Sequence, residues 1–232
     1  MRDSTTTERI VAASGLLGAA LLVAYFAAPA LLGWPFAGDT PAHLAAYALS
    51  HQSLFYAGAW LQSTGTLLCV VFFVGLVSLA GALSRLPGVV LVVAAAALIA
   101  VVLIDSAFLV AVPMAASSGD LAAVSTTFGL SNGVFVRVFP LAPSTATYIA
   151  LGIVLRPSPV LARPFARAAL AIGVVFEVAG LASIFSSWAV IAAAVMGAAQ
   201  AAWVVAAALS LWLRASAMGR QVLTEAGRVP AG

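Results

Sequence analysis

A few side chains in this chain carry chemistry that an apolar helix does not need. Glu177 lies near the middle of the apolar run 165–187, and Ala166, Ala169, Gly173, Gly180, Ser183 and Ser187 recur around it at three- and four-residue steps. That spacing puts them on one stripe of a helix, and a stripe of small residues lets a second helix approach closely. The acid is therefore expected to point into a bundle. Asp105 and Arg137 sit in two further apolar runs, and Gln62 and Gln200 in two more. Buried carboxylates with one arginine between them suit a proton or a small cation better than an anion. An unpaired charge at such depth costs at least ~2.5 kcal/mol, so an Asp105–Arg137 ion pair is expected. Glu177 then either exchanges a proton or binds a cation, or is a neutral carboxyl hydrogen-bonded to Gln200 as interhelical glue.

His43, Tyr47 and His51 recur every four residues. Eight residues separate the histidines by about 12 Å along a helix and turn them apart, so one metal cannot take both. The expected role is a polar interfacial face, or a pH-responsive gate at the outer face. No metal site, no cofactor and no catalytic residue is expected. H-E-x-x-H, G-x-S-x-G with an intramembrane histidine, and phosphate-binding glycine loops are all missing. Every one of the ten basic residues is Arg, which excludes lysine Schiff-base chemistry, and the lone Cys69 offers no disulfide.

The elements that must position these groups follow from composition. The 232 residues are 64% apolar and only 7% charged, with a mean hydropathy of +1.15. Soluble domains carry about 25% charged residues, so the chain belongs in a bilayer. The formal charge of +3 comes from dispersed arginines, which gives no nucleic-acid patch. Six apolar runs read as spans: 10–32, 54–83, 89–112, 133–155, 165–187 and 188–213, each long enough for a core of roughly 30 Å. The first run is too long for the apolar core of a secretory signal, so a retained helix is expected.

Residues 33–52 form a loop containing a short surface helix, capped by Asp39 or Thr40 and carrying Pro41 in its first turn. Trp34 and Phe36 beside it suit an interfacial aromatic belt. Residues 113–132 read as a polar loop, and Pro140 and Pro143 should kink the fourth span. Residues 1–9 and 215–232 read as polar tails, the second mobile, around a six-helix domain over 10–214. If the spans alternate, Arg2, Arg9, Arg85, Arg156, Arg163, Arg167, Arg214, Arg220 and Arg228 all fall on one side. That segregation predicts both termini in the cytoplasm. Counting inward from the other side at 1.5 Å per residue puts Arg137 about 6 Å deep, Asp105 about 10 Å, Gln62 about 12 Å, Glu177 about 14 Å and Gln200 about 18 Å. Such a layer implies a shared polar cavity open to the outside.

Four segments, AASGLLGAALLVAYF, HLAAYALSHQSLFYAGAWLQSTGTLL, SPVLARPFARAALAIGVV and QAAWVVAAALSLWLR, resemble the bacterial six-helix membrane proteins grouped as domain of unknown function 4386. The resemblance implies a multi-pass protein of the bacterial inner membrane and carries no activity with it. That family places an arginine in its third span, where this chain has Asp105. Taken together, the sequence reads as an all-α bundle of six transmembrane helices with a short outer interfacial helix. Its leading functional reading is a small transporter or ligand-binding membrane protein, with the bilayer and a proton or small cation as partners. One alternative is a non-catalytic subunit whose small-residue stripes face a membrane-protein partner. Another is an intramembrane enzyme acting on lipid, with Glu177 as general acid or base.

Overall fold

The structure, a computed structural model, describes residues 2–35, 39–134, 138–139, 143–183, 185 and 189–226, without the side chains of 2–4, 29–30, 183, 189–194 and 219–226. Among the described residues it consists of eight α-helices: α1 Arg2–Leu31, α2 Pro41–Ser50, α3 Gln52–Leu79, α4 Leu86–Ser117, α5 Leu121–Gly133, α6 Thr145–Leu155, α7 Arg163–Ser183 and α8 Ala189–Ala226. Five of them (α1, α3, α4, α7 and α8) contain stretches long and apolar enough to cross a membrane.

Glycines set how closely the helices pair. A Cβ on Gly18 of α1 would stand 2.8 Å from the backbone of both Gly65 and Cys69 on α3, so the two backbones touch there. The same device joins α6 to α7. A Cβ on Gly152 would meet the Ala166 carbonyl at 2.9 Å, and one on Gly173 would meet the Ile149 amide at 3.0 Å. Ala166, Ala169, Gly173 and Gly180 are all buried, so the small-residue stripe of α7 does face a neighbouring helix. Without a hydrophobic driving force between helices in lipid, such close backbone contact is what van der Waals packing requires. An aromatic group of Phe72, Phe73, Tyr148, Phe176 and Trp203 fills the space between these pairs.

Helix α2 forms as its sequence predicts. Thr40 caps it by accepting from the His43 amide at 3.3 Å, and Pro41 opens its first turn. Other expectations need correction. Residues 113–132 are not a loop. Helix α4 runs through Pro113 to Ser117, and α5 follows after Asp120, whose side chain accepts from the Ala123 amide at 2.9 Å. Pro113 is tolerated because it lies near the end of α4 and leaves only the Leu109 carbonyl without its helical partner. Helix α1 begins at Arg2 and α8 continues to Ala226.

Of the expected span 133–155, residues 135–137 and 140–142 lie outside the described residues. Helix α6 covers only 11 residues, about 16 Å. Ahead of it the Phe139 amide bonds the Val134 carbonyl, a wider turn than an α-helix makes. Pro140 and the junction at 186–188 lie outside the described residues. Trp34 is not a surface belt residue, because its ring packs on Phe55 at 5.0 Å and stacks on Phe128 at 5.6 Å; Phe36 lies outside the described residues.

Candidate functional site

Asp105 projects from the middle of α4 and is 2% exposed. Gln62, on the facing helix α3, donates its Nε2 to Oδ2 of Asp105 at 2.7 Å. Ser131, on α5, donates its hydroxyl to Oδ1 at 2.6 Å. One residue along α4, the Ser106 hydroxyl lies 2.8 Å from that of Ser63 and 3.3 Å from the Ala59 carbonyl. Two helices thus commit polar side chains to the carboxylate of a third, and both of its oxygens are held.

These residues come together for local reasons. Gln62 and Ser63 are neighbours on α3, and Asp105 and Ser106 on α4, so two adjacent pairs on antiparallel helices meet in register. Ser131 arrives because α5 folds back along α4. Buried Val124, Phe128 and Ser131 occupy one face of α5 at spacings of four and three.

On the α2 side of the carboxylate the interior is closed by apolar packing. Phe55 lies seven residues from Gln62 along α3, and Leu109 and Val112 lie one and two turns from Asp105 along α4. With Leu44, Tyr47, Ala48 and Phe128 they form a buried cluster against which Trp34 packs. Toward the other end, Gln62, Thr66, Cys69 and Gln200 line a cavity together with Ala19, Phe26, Val102 and Phe139, between α1, α3, α4 and α8. It offers about 40 Å³ of room for water, enough for on the order of three molecules. Tyr148 is fully buried beyond it, with Cys69 and Gln200 alongside.

The predicted residues therefore divide. Asp105 and Gln62 bond directly, and Gln200 lines the same cavity as Gln62. Arg137 lies outside the described residues. Glu177 is elsewhere: α7 packs on α6 and α8, and the carboxyl is half-buried, with no hydrogen bond or ion pair among the described residues. His43 is exposed and meets Asp39 at 2.7 Å. His51 stacks on Tyr47 with ring centres 4.3 Å apart and sits 2.8 Å from the Ser50 hydroxyl. The histidines do not share a site. Ser131 was missed because its segment read as a loop, although the Asp120 cap and the 124–128–131 spacing were visible. Thr66 and Tyr148 gave no signal of their own, since Thr and Tyr are ordinary in apolar helices.

The fold and this interior define a helical membrane protein, all-α, with five helices long and apolar enough to cross a bilayer. Comparison with protein-family models, with curated proteins and with solved structures found no match.

Proposed function

We propose that the protein is a small transporter or ligand-binding membrane protein whose working group is Asp105, which takes a proton or a small cation. The single observation that carries this is a carboxylate with 2% exposure, held on both oxygens by neutral donors from two other helices. An ionised carboxylate offers about four acceptor positions, so two remain for a bound cation or a proton. No Arg, Lys or His nitrogen among the described residues lies within 4.0 Å of it, and intramembrane acids of this kind mark ion and proton pathways. Arg137 remains the sequence's candidate counter-charge. Gln62, which bonds the acid, also lines the water-sized cavity that Gln200 borders, and so links the carboxylate to that space. The test is infrared difference spectroscopy of the protein in lipid vesicles during pH and sodium or potassium jumps. A carboxyl band should respond in the wild type and vanish in Asp105→Asn, which keeps the shape of the side chain. Identical spectra for both proteins would refute the assignment.

We further infer six crossings, in a bacterial cell as the resemblance noted above implies, with both termini in the cytoplasm as the segregation of the arginines predicts. The N-terminal part of α1 and the C-terminal part of α8 support an even count, since Glu8 Oε1 lies 3.7 Å from Arg214 Nη2. Helices α5 and α6 together supply the sixth crossing. Broken backbone at membrane depth is tolerated where protein covers it. Single cysteines at Thr5 and Met218, in a Cys69→Ser background, should both resist a membrane-impermeant maleimide in intact cells. Labelling of one but not the other would exclude an even count.

A further inference from the structure

At the end of the molecule opposite α2, the connection between α6 and α7 forms a groove lined by Arg156, Pro157, Arg163, Ala166, Arg167 and Leu170. Three of its six residues are arginines, all exposed, and none forms an ion pair among the described residues. The groove holds about 540 Å³, within the range of roughly 300–1,000 Å³ typical of small-molecule sites. Its walls are fixed in place. Arg214 of α8 donates to the Pro159 carbonyl and, at 3.0 Å, to that of Val160, while Val160 and Leu161 are buried. The loop between Arg156 and Arg163 is thereby tied to α8, and Arg214 is itself occupied by these carbonyls and by Glu8.

We propose that this groove binds the phosphate of an anionic phospholipid from the leaflet at the arginine-bearing end. Guanidinium groups match phosphate oxygens two at a time, which is why arginine recurs at such sites. Basic pockets between membrane helices hold lipid headgroups in the same way. The apolar surface leading away from the groove favours lipid over free phosphate. Arg163, Arg167, Leu170, Val174 and Val178 step by four, three, four and four residues, one stripe of α7. Val174 is 55% and Val178 62% exposed, so below its arginines this stripe presents bare apolar surface on which an acyl chain can lie. Arg85 lies at the same end of the bundle but does not line the groove, so general attraction between arginines and an acidic surface predicts no special role for this site.

The experiment is native mass spectrometry of the full chain released from nanodiscs of phosphatidylcholine with an equal share of phosphatidylglycerol. The wild type should retain phosphatidylglycerol selectively. Arg163→Gln and Arg167→Gln should each lower that retention about fivefold, and Arg85→Gln should leave it unchanged. Arg167→Lys, which keeps charge but loses the planar fork, should fall between wild type and Arg167→Gln and serves if the glutamine variants do not fold. Equal retention of the two lipids by the wild type would overturn the proposal, and so would equal losses in Arg85→Gln and Arg167→Gln. If inorganic phosphate added to lipid-free protein in detergent binds at these arginines and abolishes lipid retention, the site is a phosphate site and the lipid assignment is wrong.

Discussion

Asp105 and Glu177 look alike as sequence, each a single acid inside an apolar helix, and the structure treats them differently. Asp105 is almost fully buried and accepts from Gln62 and Ser131, donors on two different helices. Glu177 is half-buried on α7, beside the stripe that packs on α6, and has no partner among the described residues. What separates them is the neighbouring helix. The α3–α4 pair brings side-chain donors opposite Asp105, whereas the α6–α7 pair meets backbone to backbone at Gly152 and Gly173, leaving little space for polar side chains between. Small-residue packing and polar packing are two ways of joining helices in lipid, and this molecule uses the first for α1–α3 and α6–α7 and the second for α3–α4.

The contrast can be broken most directly by removing each acid. Asp105→Leu leaves the Gln62 amide and the Ser131 hydroxyl buried without their acceptor and should destabilise the fold by about 2–4 kcal/mol. Glu177→Leu should cost less than about 1 kcal/mol, since no donor is orphaned. Thermal unfolding of both variants in the same detergent decides the matter, and equal losses would erase the distinction. Next in size is close packing. Gly152→Val should destabilise by about 1–3 kcal/mol, because its Cβ would meet Leu170 and the Ala166 carbonyl within contact distance. A wild-type melting temperature would mean that α6 and α7 are not held backbone to backbone.

Ser131→Ala sharpens the picture of the carboxylate's support. It removes one interhelical hydrogen bond and should cost about 0.6–1.7 kcal/mol. The same variant should shift the carboxyl infrared band that Asp105→Asn abolishes, and an unshifted band would separate Ser131 from the site. The smallest effect is expected at the surface. His43→Ala breaks an exposed contact with Asp39 and should change stability by less than about 1 kcal/mol, read by the same melts. A larger loss would mean that α2 relies on that pair more than on its buried Leu44, Tyr47 and Ala48.

Much of the fold was legible residue by residue. Apolar run length marked α1, α3, α4, α7 and α8, and Thr40 with Pro41 marked the start of α2. The small-residue stripe on α7 correctly announced a close neighbour. Where reading failed, a local signal competed with a longer-range one. Pro113 and the serines after it read as a loop, but α4 continues past the proline to Ser117, and Asp120 starts a new helix almost at once. For the site, Gln62 and Asp105 could be singled out as polar groups in apolar runs, and counting residues put them at similar depth. Ser131 could not, because a serine matters only once its helix lies beside the acid.

By itself the sequence determined that this is an all-helical chain with apolar segments of bilayer length and arginines mostly at or beyond the ends of those segments. Those properties depend on composition and on a helical repeat that every segment carries independently of the others. Which acid would be enclosed, and by which donors, was decided only in the tertiary structure. Hydrogen-bond partners from α3, α4 and α5 are brought within reach by the packing of three successive helices against one another, and no spacing along one helix encodes that meeting.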